Sequence, residues 1–189
     1  MKFYVNARYL IVPFMSLIAI AGILIGGSFA WVGVALFGLN TIIDTLTKNI
    51  HLPADFDDAG ASYGIKGFQY AVMFLMLPVF IVLQLVLSYR IFQYTSLTPI
   101  ETAALLGVSY EVGTSGFNLI GATLSSGLWA GLGIIYGHEL SHNKKEGFFV
   151  SRLIMALSGA SHFTYAHVYN HHLDLGHEDD AATAPRGRN

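Results

Sequence analysis

The sequence predicts an all-α fold: a polytopic bundle of transmembrane helices with clustered histidines on its cytoplasmic side. Three observations lead there. Hydrophobic residues make up 53% of the chain and charged residues only 12%, a balance unlike that of a water-soluble domain of 189 residues. The apolar residues are also gathered into runs, because no Asp, Glu, Lys or Arg occurs between Arg8 and Asp44, between Lys66 and Arg90, or between Glu111 and Glu139. Finally, when those runs are threaded through a bilayer, every Lys and Arg except Arg90 falls on one side.

A helix crossing a ~30 Å hydrocarbon core needs about 20 apolar residues. The first run is too long for one such helix and carries Gly26-Gly27-Ser28 near its middle, so it reads as a tight helical hairpin with spans at about 9–27 and 29–46. It lacks a small-residue cleavage site and is read as an uncleaved first span. Residues 49–64, NIHLPADFDDAGASYG, are rich in Asp, Gly and Pro and form a loop against the membrane surface. The third span lies at about 67–89 and contains Pro78, which is expected to kink it. The fourth, at about 112–137, carries Gly121, Ala122, Ser125, Ser126, Gly127, Ala130, Gly131 and Gly133, small residues that let helices approach closely in a membrane. The stretch FFVSRLIMALSGA that follows is too short and too interrupted for a span and reads as an interfacial or re-entrant helix.

Four spans put the N-terminus, the loop at 44–66 and everything after about residue 138 on the same side. That side holds Lys2, Arg8, Lys48, Lys66, Lys144, Lys145, Arg152, Arg186 and Arg188, and the opposite loop holds Arg90. The positive-inside bias makes the basic side cytoplasmic, the inner-membrane face if the source is bacterial. A three-span reading would separate Lys2 and Arg8 from the other basic residues. Residues 1–189 therefore read as a single membrane domain. A net charge of −2 gives no reason to invoke nucleic acid, and the lack of Cys excludes disulfides, thiolate zinc sites and iron–sulfur clusters within this chain.

The histidines carry the chemical signal. Of eight, seven lie at positions 138, 142, 162, 167, 171, 172 and 177. His138 and His142 stand one helical turn apart and can reach a common ion, and His167 and His171 repeat that spacing with His172 beside them. His51 is alone in a polar loop and reads as a surface residue. For the five paired histidines a purely structural role is weak, since so many imidazoles beside a membrane without metal would leave unsatisfied polar groups. Imidazole suits zinc, copper, iron and nickel alike. HELSH alone fits the H-E-x-x-H pattern of a zinc peptidase, with Glu139 as base. The second cluster argues against that, because three further histidines are too many for one tetrahedral zinc with an open position. Five histidines point to a binuclear site.

GHELSHNKKEGF at 137–148 resembles the first histidine box of the membrane alkane hydroxylases, and SHFTYAHVYNHHLDLGHEDDAATAPRG at 161–187 resembles their second. The boxes proper are 138–142 and 167–172. These enzymes belong to the fatty acid desaturase-like, histidine-box diiron proteins of lipid metabolism. The resemblance implies that His138, His142, His167, His171 and His172 are iron ligands of a site holding two non-haem irons, with dioxygen as co-substrate. It implies terminal hydroxylation of an alkane or other alkyl substrate, using electrons from a rubredoxin-type donor and its reductase. Docking of that donor is expected near Lys144, Lys145 and Arg152, and entry of the substrate from lipid along the small residues of the fourth span. Glu139, His162, Asp174, His177 and Asp180 are expected to orient ligands without binding metal; for Asp174, Asp180 and their neighbours Glu178 and Asp179, solvated acidic residues are an equal alternative.

Two positions depart from the family pattern: Ala166 stands where a Glu usually precedes the first His of the second box, and His177 stands where a Thr is usual. The later histidine boxes of the family are absent from the 189 residues, so the chain reads as the N-terminal part of a longer family domain, apparently truncated after the second box and not expected to be active alone. Within the same chemistry the alternatives are a fatty-acid desaturase or hydroxylase and a xylene-type monooxygenase. A membrane zinc peptidase and a non-catalytic packing protein are alternatives of other classes.

Overall fold

The computed structural model describes residues 6–47, 64–143, 145–177 and 180. Most of the surface loop expected at 49–64, with its His51, lies outside the described residues, as do Lys144, Glu178 and Asp179. The chain divides into two compact units, Met1–Gly131 and Leu132–Asn189. Four helices are long and apolar enough to cross a membrane: Arg8–Ile25, Gly27–Thr47, Lys66–Thr95 and Gly116–Ser141.

In the first unit a short 3-10 turn, Arg8–Leu10, leads into α1, Ile11–Ile25. The chain reverses at Gly26 and Gly27, both with positive φ, and resumes through a 3-10 turn at Gly27–Trp31 into α2, Val32–Thr47. Helix α3, Lys66–Thr95, runs unbroken through Pro78. A two-stranded antiparallel hairpin follows, β1 at Glu101–Leu105 and β2 at Val108–Val112, and then α4, Gly116–Gly131. The hairpin is an addition to the helical architecture expected from sequence, and it moves the start of the fourth apolar helix from about 112 to Gly116.

Packing in this unit has the character of a membrane bundle. Large apolar side chains such as Phe14, Leu17, Leu85 and Phe92 point outward, whereas Ser16, Ser125, Ser126 and Ala122 are buried. Helices in lipid gain little from hiding apolar groups from one another and associate through close backbone approach instead. The small residues of α4 divide accordingly. A Cβ on Gly121 would lie 2.6 Å from the Trp31 indole, while one on Gly127 or Gly131 would meet nothing within 4 Å. Gly33 of α2 is equally tight, since its Cβ would lie 2.6 Å from that of Ser125. The Ser125 hydroxyl donates to the Ala30 carbonyl at 2.7 Å and accepts from the Val34 amide at 3.2 Å, so it satisfies backbone groups freed where the helix restarts. The Trp129 indole donates to the Gly33 carbonyl at 2.9 Å.

Arg90 differs from its sequence-based placement. It lies inside α3, fully buried, and not in the loop beyond it. Its Nε donates to the Ile23 carbonyl and one terminal nitrogen to that of Leu24, both at 2.7 Å. The other terminal nitrogen donates to Gln93 at 2.8 Å and to the carbonyls of Glu111 and Gly113 at 2.9 Å. The guanidinium fork thus caps the end of α1 and fastens the base of the hairpin.

The second unit contains α5, Gly133–Ser141, α6, Lys145–Leu157, and α7, Phe163–Ala166, which continues through a π turn at His167–His171 into the short α8, His172–Asp174. Helix α6 occupies the stretch read as interfacial or re-entrant. It buries Gly147, Ser151, Ile154 and Met155 along one side, spaced as one face of a helix, and packs that side on α5.

Candidate metal centre

The site lies within the second unit. Helix α5 carries His138 in its last turn and ends on His142, so the one-turn spacing becomes an Nε2 to Nε2 separation of 3.4 Å. Ser151 of α6 holds this turn against the second histidine segment: its hydroxyl donates to the Gly137 carbonyl at 2.6 Å and meets the Thr164 hydroxyl at 3.2 Å. Both hydroxyls are fully buried. Gly137 packs closely there, since a Cβ would lie 3.0 Å from the Met155 side chain.

His167 approaches from the π turn. Its Nε2 lies 3.3 Å from that of His142 and 3.0 Å from that of His172. One ligand nitrogen from each of His138, His142 and His167 falls within 4.8 Å of the others. Spacing had paired His167 with His171, but the π turn inserts an extra residue into the repeat and brings His172 round to His167. The His171 ring stacks beside that of His167 at 5.5 Å, and its Nδ1 lies 3.0 Å from both carboxylate oxygens of Asp180. A carboxylate only accepts, so Nδ1 is the donor in this contact and Nε2 is the ring nitrogen left for other partners. Asp180 is buried and also accepts the Gly176 amide at 3.1 Å.

The donor set fits a metal. His142 and His167 each make two nitrogen-to-nitrogen contacts, and an Nε2 with one proton or one lone pair cannot satisfy both as hydrogen bonds. An ion accepting every lone pair does so at once. Two metal–nitrogen bonds of about 2.0–2.1 Å at ordinary angles put their nitrogens about 3.0–3.4 Å apart, the range seen here. Charge agrees: burial, followed by the neighbouring imidazoles His138, His172, His142 and His171, lowers the His167 pKa to about 4. Burial also lowers that of His142, helped by His138 and His172 and opposed by Glu139. Both rings are thus neutral, the form that binds metal.

The other sequence candidates lie around this core. Glu139 is exposed and acts on His142 only through its charge. His162 lines a separate surface pocket with Phe149, Arg152 and Tyr165. Asp174 and His177 meet through the backbone, the His177 amide donating to the Asp174 carbonyl at 2.8 Å. Sequence reasoning missed Phe163, whose ring stacks on His167 at 5.1 Å and 11°, and the Ser151–Thr164 tie. Neither has a spacing signature.

Among curated proteins, a 106-residue stretch of this chain is 37% identical to alkane 1-monooxygenase of Pseudomonas putida, covering 53% of this chain and 26% of that protein. The matched stretch is similar to the alkane 1-monooxygenases. It is 38% identical over 104 residues to the enzyme of Ectopseudomonas oleovorans and 36% identical over 104 residues to alkane 1-monooxygenase 1 of Alcanivorax borkumensis, covering 52% of this chain and 25% of each relative. The chain thus matches about a quarter of the length of these alkane 1-monooxygenases. No protein-family profile and no solved structure matches it.

Proposed function

We propose that this chain carries the first two histidine boxes of an integral-membrane monooxygenase that hydroxylates a terminal alkyl C–H bond, with the boxes on the cytoplasmic face. The observation that carries the proposal is the chain of Nε2 contacts linking His138, His142, His167 and His172, in a protein whose relatives are alkane 1-monooxygenases. These four residues, with His171 through the Nε2 that Asp180 does not engage, would hold non-haem iron, and two ions are expected for five such ligands. Iron bound there supplies redox chemistry with dioxygen and external electrons, which an alkane requires because it offers no acidic proton to a general base.

The protein's own groups do the rest. Neutral His142 and His167 present lone pairs at physiological pH. Asp180 fixes the tautomer of His171, and Phe163 walls one face of His167. A rubredoxin-type donor and its reductase are proposed to dock near Lys145 and Arg152. Against a zinc peptidase stand the fourth imidazole in the cluster and the exposure of Glu139.

Metal content by mass spectrometry on the chain purified in mild detergent tests this reading. Iron bound to the chain and lost in His138→Ala and His171→Ala supports it. A single zinc with no iron favours the peptidase, and absence of any metal leaves a membrane scaffold.

A further inference from the structure

We propose that the β1–β2 hairpin is a membrane-dipping element whose apolar tip rests in the lipid interface. This goes beyond the oxygenase reading and depends only on the four apolar helices being membrane spans. The register pairs Leu105 with Val108, Ala103 with Tyr110, and Glu101 with Val112, so alternate residues form a face that is apolar from Ala103 to the tip. The opposite face carries Thr102, Ala104, Ser109 and Glu111. Thr102, Ser109 and Glu111 line a cleft shared with the Gly26–Phe29 turn. Tyr110 lines the same cleft, and Ala103, Tyr110 and Val112 are half-buried, so the apolar surface that the hairpin leaves uncovered is its outer end, Leu105, Leu106 and Val108.

Its exposure is large. Leu106 at the turn is 97% exposed, Leu105 66% and Val108 54%, and Leu97 in the approach to β1 is 86% exposed. A water-facing hairpin of this kind would be an aggregation hazard. The chain supplies a bilayer as the covering surface instead, since the hairpin joins two apolar helices through short links after Thr95 and before Gly116. Its base is held to that end of the bundle by Arg90, through the carbonyls of Glu111 and Gly113, and by Glu111, which accepts the Gly27 amide at 3.1 Å. Tyr89 and Tyr94, both exposed near the end of α3, mark the headgroup level that Tyr favours. From Ile91 to Asn143 no Lys or Arg occurs, so nothing cationic holds the tip in water. Glu101, the acidic residue on this face, sits at the base, away from the tip.

The lack of Cys makes the test direct. Single variants Leu106→Cys, Leu105→Cys and Ala104→Cys, with Leu75→Cys in α3 as the in-bilayer control, are labelled with an environment-sensitive fluorophore and reconstituted in vesicles containing brominated lipid. All four positions are exposed, so no buried contact is lost. The expected result is blue-shifted, lipid-quenched emission at Leu106, Leu105 and Leu75, with iodide quenching only at Ala104. Iodide quenching at Leu105 and Leu106, with Leu75 lipid-quenched, would overturn the proposal by placing the hairpin in water. Protection from both quenchers would overturn it in favour of a protein cover, such as a second copy. Failure of lipid quenching at Leu75 would remove the membrane reading itself, and this proposal with it.

Discussion

Asp180 determines how His171 can act. Its carboxylate accepts the hydrogen bond from Nδ1, and the Gly176 amide donates to the carboxylate and holds it in place. Carboxylate partners of this kind orient metal-binding imidazoles, and their removal typically costs 10–100-fold in metal affinity. Asp180→Asn should therefore weaken iron binding by about that factor, measured by competition with a chelator, while Asp180→Glu should recover part of it. Equal affinity in wild type and Asp180→Asn would mean that His171 stands outside the metal site. The histidine cluster also sets a pH dependence. Because the folded pKa of His167 is lowered to about 4 from an ordinary 6.5, the unfolded chain binds its proton first as pH falls. Between those values the unfolded state holds more protons, so stability rises with pH there and is lost as pH drops from about 6.5 towards 4. Thermal melting of the metal-free protein in detergent should show this decline, and His167→Gln should flatten it. Sequence spacing made His138 and His142 legible as a pair because α5 stays regular to its end. It grouped His167, His171 and His172 but could not say which pair meets, because nothing in AHVYNHH announces the π turn that sets His172 against the His167 Nε2, and it could offer Asp180 only as one carboxylate among several.

At the scale of elements, the fold is held by close approach more than by bulk. Gly33 and Gly121 are contact points of α2 with α4 and of α4 with the 3-10 turn before α2, and a side chain at either has no room. Gly121→Leu and Gly33→Leu should each destabilise the bundle by about 1–3 kcal/mol, the ordinary range for overpacking, read as a lower unfolding midpoint in detergent. Gly127→Leu, with open space around it, should change little. Arg90→Lys keeps the charge but loses the fork that reaches Ile23, Leu24, Glu111 and Gly113 together. Each buried carbonyl left without a donor costs about 1–3 kcal/mol, so this variant should melt earlier than Gly121→Leu. The apolar runs and the Gly26-Gly27 break were readable because span length and glycine chemistry are local properties. The hairpin was not, since TAALLGVSY has the apolar content of a span and its only turn signal is Leu106-Gly107, whose positive φ values appear only in the structure. Arg90 misled for a related reason: a lone basic residue after an apolar run reads as a loop charge, whereas its partners are carbonyls distant in sequence.

For the whole molecule, the distribution of charge and the number of spans together decide which compartment the histidines face. On the four-span reading proposed above, the sequence at 49–64 and the sequence after Ser141 fall on one side, and the stretch between the third and fourth spans on the other. On that reading the basic residues gather on the first of these sides, which the inside bias predicts to be cytoplasmic. The iron chemistry proposed above, with its external electron donor, would need that side, because soluble reductants are kept reduced there. Cysteines introduced singly into this cysteine-free chain, at Asp55 in the loop and at Ala104 on the polar face of the hairpin, report the topology when intact bacterial cells are treated with a membrane-impermeant maleimide. Ala104→Cys should label in cells whose outer membrane alone has been made leaky, and Asp55→Cys only after the inner membrane is opened. The reverse pattern would put the histidines outside, away from any cytoplasmic electron donor. Labelling of both from outside would mean an odd number of crossings between the two positions is wrong, and with it the assignment of α3 as a span.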